Sequence, residues 1–199
     1  MIPVAAKPEP ADFDAKVRGK AAAFFSKKGW PQGGPLPPGA ELPNYWVNCL
    51  PELYEAYGGI CAYLGIHFEQ VLGAGSTDHF VAKSSDRTLA YEWANYRLAC
   101  SRMNSRKRDF EDVLDPFYLA PDLFRLELSS GRIYVNPNLA VQAQRIVELT
   151  ILRLGLDDAL CREMRSRRFQ EFAESQVTDI FLQRHSPFVW IEARRQGIL

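Results

Sequence analysis

The chain has 199 residues, enough for one domain with a generous core or one compact domain with arms, and too few for two large domains. Hydrophobic residues at 47% and charged residues at 24% are ordinary globular usage, which excludes a wholly disordered, collagen-like or disulfide-framework protein. The 24 basic and 24 acidic side chains cancel, so any polyanion site must be a local patch.

Cys49, Cys61, Cys100 and Cys161 are widely spaced and predict reduced thiols. The first residues lack a basic segment followed by an apolar one, and no apolar run reaches the ~18 residues of a membrane span. These features predict a cytoplasmic chain with no membrane partner.

Residues 10–28 set Phe13, Val17, Ala21, Phe24 and Phe25 at helical spacing and predict an amphipathic helix ended by Gly29. Residues 29–43 hold five prolines and four glycines and read as an extended linker at a boundary. A short helix is expected over 51–57, closed by Gly58 and Gly59. Over 60–82, short apolar runs around a glycine-rich GAGST turn predict a hairpin or two short strands, with ICAYLGI as one of them. The Trp-led, increasingly basic segment 93–110 reads as helix ending near Asp109. LFRLEL (123–128) and RIYV (132–135) predict strands joined by Ser129-Ser130-Gly131. Leu139, Ala143, Ile146, Val147, Thr150 and Leu154 share a helix face closed by Gly155, and Asp157 or Asp158 can cap a second helix to about 175. The expected class is α+β, in three parts: helix and linker (1–44), core with hairpin (45–135) and C-terminal helices (136–199).

The chemistry concentrates at Asp78-His79, a carboxylate beside an imidazole. On an extended strand these neighbours face opposite ways, so they serve one site only if the strand bends or ligands converge around it. Asn95 follows within YEWANYRLAC, and Asn104 within CSRMNSRKRD. This ordered set, Asp-His, Trp-x-Asn with Leu-Ala-Cys behind it, then Asn-Ser-x-Lys, resembles the HNH endonuclease family over Tyr57 through about Phe117. The resemblance implies a ββα-metal core of hairpin, loop and helix. It implies that His79 is the base that activates water, that Asn95 holds the loop and orients it, and that Asp78 and Asn104 hold Mg2+ or Mn2+ through hard oxygens.

Many HNH relatives carry two Cys-x-x-Cys pairs that bind structural zinc. Here those stretches read Cys61-Ala62-Tyr63-Leu64 and Cys100-Ser101-Arg102-Met103. Two thiolates cannot close a tetrahedral shell, so no structural zinc is expected and these positions should pack as apolar groups. Arg97, Arg102, Arg106, Lys107 and Arg108 fall in an acid-free stretch and, with Lys83 from the other side, form a candidate phosphate-binding patch. His67 and His185 have no partner spacing and are expected to be structural or exposed. Trp46, Trp93 and Trp190 read as core anchors. There is no GxxxxGK or GxGxxG loop to support nucleotide hydrolysis.

The flanking stretches PNYWVNCLPELYEAYGGICAYL and DVLDPF, with the helical C-terminus, resemble small bacterial HNH proteins that include nuclease subunits of Septu-type antiphage systems, some of them retron-associated. That resemblance implies a defence effector acting on DNA with an ATPase partner. Two alternatives stay open: a non-catalytic subunit that binds nucleic acid or a partner through a retained HNH fold, and an RNA-cleaving toxin-like effector.

Overall fold

The computed structural model describes residues 1–199. It is α+β, with seven α-helices and two separate two-stranded antiparallel sheets. No helix is long and apolar enough to cross a membrane. The chain forms one unit from Ala6–Gly59 and Glu69–Glu111, and another from Met1–Ala5, Ile60–Phe68 and Asp112–Leu199. It thus passes between units near residues 5, 59, 68 and 111, whereas composition suggested boundaries near 44 and 135.

In the first unit a π-helical turn at Asp14–Arg18 runs into α1 (Gly19–Lys28), which ends on left-handed Gly29. Val17, Ala21 and Phe25 form the buried stripe; Phe24 is only half-buried. Phe13 meets Trp93 and Tyr96 edge-on at 5.8 and 5.9 Å, and Phe25 meets Tyr91 at 5.6 Å. The N-terminal helix is therefore part of this unit's aromatic core.

Residues 29–43 contain no helix or strand, as their prolines dictate, but they are tied down. Arg87 donates to the carbonyls of Pro31 and Pro35 at 2.8 and 2.6 Å. Gly33 N–H donates to Thr88 Oγ1 at 2.7 Å, Leu36 N–H to Ser84 O at 3.1 Å, and Tyr91 O–H to Pro43 O at 2.9 Å. A proline-rich segment has few N–H groups but all its carbonyls, so donors elsewhere can strap it in place.

After α2 (Leu50–Ala56), with Pro51 in its first turn, comes the central hairpin. β1 (Gly75–His79) pairs antiparallel with β2 (Tyr96–Cys100), setting Asp78 opposite Arg97 and His79 opposite Tyr96; α3 (Ser101–Lys107) follows at once. Two sequence expectations are corrected here. Gly75, Ser76 and Thr77 lie in a strand, not in a turn, and the helix expected from 93 starts only at Ser101. YRLAC has strand-forming composition, and its pairing with β1 overrides the helical reading of the basic residues around it.

The second unit carries the other hairpin, β3 (Phe124–Glu127) with β4 (Arg132–Val135), as expected from sequence. ICAYLGI, expected as a strand, makes only an isolated bridge from Ile60 to His67, with left-handed Gly65 bending it. Four helices follow: α4 (Val141–Leu154) ended by left-handed Gly155, α5 (Ala159–Ala173), α6 (Asp179–His185) and α7 (Pro187–Arg195). Asp158 caps α5, accepting from Cys161 N–H at 2.7 Å. Arg165 of α5 is 2% exposed and donates to the carbonyls of Gly131, at 2.9 Å, and Leu156. Such charge-assisted bonds offset the cost of burying the guanidinium.

Gly131 turns the second hairpin with φ +69°, and a Cβ there would lie 2.0 Å from the main-chain oxygen of Arg162. Gly131→Ala should lose about 3 kcal/mol or more in urea unfolding. Gly58→Ala, also left-handed but with open space around it, should lose only about 1–2 kcal/mol. Equal losses would contradict the close approach.

Candidate functional site

The site is built on the loop between β1 and β2, residues 80–95, and the loop is closed by one side chain. Asn95 O accepts from Phe80 N–H at 3.0 Å, continuing the ladder by one step. The Asn95 amide then takes both main-chain groups of Val81: Oδ1 accepts from Val81 N–H at 2.8 Å, and Nδ2 donates to Val81 O at 3.0 Å. Nδ2 also donates to Leu89 O at 3.0 Å, across the loop. Asn95 is 6% exposed, so its own end of these bonds is shielded from water, and a side-chain amide offers both an acceptor and two donors.

The carbonyl of Ala90, next to Leu89, receives two donors. Tyr96 O–H donates at 2.8 Å, and His79 Nε2 lies at 3.0 Å. A carbonyl only accepts, so Nε2 carries the proton and the lone pair of neutral His79 is on Nδ1. The ring is held edge-on to Trp46 at 4.7 Å and to Tyr96 at 5.2 Å. Burial, and next the charge of Lys83, push the His79 imidazole down to about 3, with Lys107 adding to the effect and the Ala90 bond opposing it. His79 is neutral at every physiological pH.

Asp78 is 1% exposed and lies on the opposite face of β1, the face it shares with Arg97 in the register. The two site residues are linked through a third. The Lys83 ammonium stands 4.4 Å over the Trp46 ring, half-buried, and burial lowers its pKa while Asp109 and Asp78 draw it back up. One cation thus lies in the field of Asp78 and also acts on His79. Asn104 sits on α3, half-buried, one helix turn before Arg108, whose N–H it accepts. α3 packs on both strands of the hairpin.

The six basic residues expected to form one phosphate patch divide in two. Arg97 and Lys107 are buried, at 2% and 0% exposure. The Arg97 guanidinium donates to Ala94 O at 2.8 Å and Tyr96 O at 3.1 Å, and Lys107 Nζ donates to Phe80 O at 2.8 Å. Both cations also approach the Phe80 ring, at 5.3 and 5.1 Å. They brace the start of the loop. Arg102 and Arg108 are exposed and Arg106 half-exposed, while Lys83 stands at Trp46.

Trp46 was readable only as a core anchor, and nothing in its spacing tied it to His79. The Ala90 carbonyl, being main chain, has no sequence signal at all. No set of three or more His, Cys, Asp and Glu side chains is grouped to hold a metal ion. Cys61 is buried in the second unit; Cys100 is half-buried at the end of β2 in the first. His67 and His185, unlinked in sequence, meet edge-on at 5.0 Å in the second unit, with His67 N–H donating to His185 O at 2.9 Å.

No protein-family model matches the chain, and no curated protein matches it.

Two outcomes are expected of this site. Asn95→Ala strands the Val81 and Leu89 main-chain groups and should cost about 2–4 kcal/mol in urea unfolding; a loss under about 1 kcal/mol would remove the clasp. His79 is depressed from its ordinary value to about 3, so the unfolded chain binds the extra proton first as pH falls. Its contribution is level above pH ~6.5 and erodes toward pH 3 by up to ~1.4 kcal/mol per pH unit. Urea titrations from pH 7 to 4 should show a shallower loss for His79→Gln than for the wild type; parallel curves would contradict a buried neutral imidazole.

Proposed function

We propose that this protein is a metal-dependent nuclease of the HNH type, hydrolysing phosphodiester bonds of DNA. The observation that carries the reading is the Asn95 clasp: an amide closing the loop between two antiparallel strands, with an oriented histidine at the end of the first strand and a helix bearing Asn104 directly after the second. The flanking sequence likeness extends the proposal to an antiphage effector that works with an ATPase partner.

The donor types suit the divalent cation that this reading requires. Asp78 offers a carboxylate and Asn104 an amide carbonyl, both hard oxygens, from the strand and from the helix packed on it. Mg2+ and Mn2+ take few protein oxygens and keep several waters. When bound, the cation neutralises charge on the phosphate and the leaving oxygen.

The chain's own residues supply the rest. His79 Nδ1 takes a proton from the attacking water as the water oxygen bonds to phosphorus and the bond from phosphorus to the leaving oxygen breaks; the leaving oxygen takes its proton from solvent. An imidazole pushed down to about 3 is a weak base in the free protein. Burial is the larger cause of that depression; a phosphate anion beside Lys83 offsets the second cause, the lysine's charge, and raises the basicity in part. Ala90 O keeps the Nε2–H tautomer in place, and Asn95 keeps Ala90 in place. Arg102, Arg106 and Arg108 serve as backbone contacts that position the strand.

One observation favours a second reading. His79 is 7% exposed, which suits a chain that retains the fold for binding alone. The experiment that divides the two is cleavage of plasmid DNA, single-stranded DNA and structured RNA with Mg2+ or with chelator. Catalysis predicts metal-dependent cleavage that falls at least about 100-fold in His79→Ala while folding and binding persist. Cleavage unchanged in His79→Ala would remove the proposed base. Binding without cleavage of any substrate would assign the chain to the second reading.

A further inference from the structure

The strap 29–43 and the site loop line an open cleft of about 310 Å³. It is lined by Leu36, Glu41 and Leu42 of the strap, Asn44 and Trp46 after it, and Lys83 of the loop. Its walls are set in advance. Arg87 fixes the strap at Pro31 and Pro35, Leu36 N–H is bonded to Ser84 O beside Lys83, and Tyr91 O–H holds Pro43.

The lining has a particular chemistry. Two leucines and part of a largely buried indole supply apolar surface for a flat ring, while a carboxylate and an amide can meet donors and acceptors on that ring's edge. The ammonium of Lys83 supplies a partner for an anion. Trp46 joins this cavity to the chemistry, because its ring touches Lys83 at 4.4 Å and His79 at 4.7 Å. A flat heteroaromatic ring attached to an anion, placed next to the residue that activates water, describes one nucleotide of the strand being cut. The volume lies at the low end of the ~300–1,000 Å³ of small-ligand sites and is ample for one base.

We propose that this cavity takes an unpaired nucleobase adjacent to the scissile phosphate, which makes the protein selective for single-stranded or locally unpaired DNA. The proposal rests on the nuclease reading for the position of the phosphate. A base within a duplex is stacked and paired, and seating its face in the cleft means first leaving the stack; a base in a single strand avoids most of that cost.

The test is fluorescence anisotropy of short labelled oligonucleotides binding in chelator, comparing a single strand with the blunt duplex of the same sequence. The wild type should bind the single strand at least about tenfold more tightly. Leu36→Trp, which fills the cavity from the strap, should bring the two affinities within about twofold of each other. Asn44→Ala, a truncation at an exposed position, should weaken single-strand binding while leaving the duplex unchanged. Equal affinities in the wild type, or a preference unaltered in both variants, would overturn the cavity's role. Hydrolysis of bis(p-nitrophenyl) phosphate, which carries no base, by wild type against His79→Ala reads the nuclease proposal separately. Single-strand preference without that hydrolysis would keep the cavity and remove the nuclease. Hydrolysis without the preference would do the reverse.

Discussion

The site depends on one clasp. A long irregular loop between two short strands has no ladder to hold it, and its ordering entropy must be repaid by contacts within it. The amide of Asn95 supplies these by bonding both main-chain groups of Val81 and the carbonyl of Leu89. With Leu89 fixed, the carbonyl of Ala90 is aimed at His79 and Tyr96 together. The tautomer of the imidazole follows from that placement, while Trp46 and Tyr96 hold its ring.

The second constraint is buried positive charge. Arg97 and Lys107 lie in the interior beside the Phe80 ring, with their donors on main-chain carbonyls. Placing cations there costs solvation, which bonds to carbonyls and the aromatic face recover in part. The consequence is a loop start that cannot easily shift. Burial first, and then the charges of Lys83 and Lys107, keep His79 from protonating.

Periodicity and turn chemistry disclosed much of the fold. The stripe of Phe13, Val17, Ala21 and Phe25, the Ser-Ser-Gly turn of the second hairpin, left-handed Gly155 and the Asp158 cap were legible because each is a local rule with a local cause. Three readings failed where tertiary pairing decided. YRLAC became a strand because β1 lies beside it; GST joined that strand; ICAYLGI bent at Gly65 and kept one bridge. The composition of 29–43 hid a strap, because proline carbonyls remain acceptors for a distant Arg87. At the site, Asn95 could be singled out in the sequence, but its bonds to Val81 and Leu89 could not. The burial of Arg97 and Lys107 did not show in the sequence, since a run of basic residues carries no record of which way each faces. Trp46 and the Ala90 carbonyl were beyond reach for the same reason: one acts through space and the other through its main chain.

The most direct test of this account is the ionisation of His79 itself, followed by long-range 1H–15N NMR of the imidazoles from pH 7.5 to 4.5 in the wild type and in Asn95→Ala. The account predicts a His79 ring that stays neutral with its proton on Nε2 throughout in the wild type, and one whose titration moves up toward the ordinary ~6.5 once the clasp is removed. A wild-type His79 that protonates near ~6.5, or carries its proton on Nδ1, would contradict it.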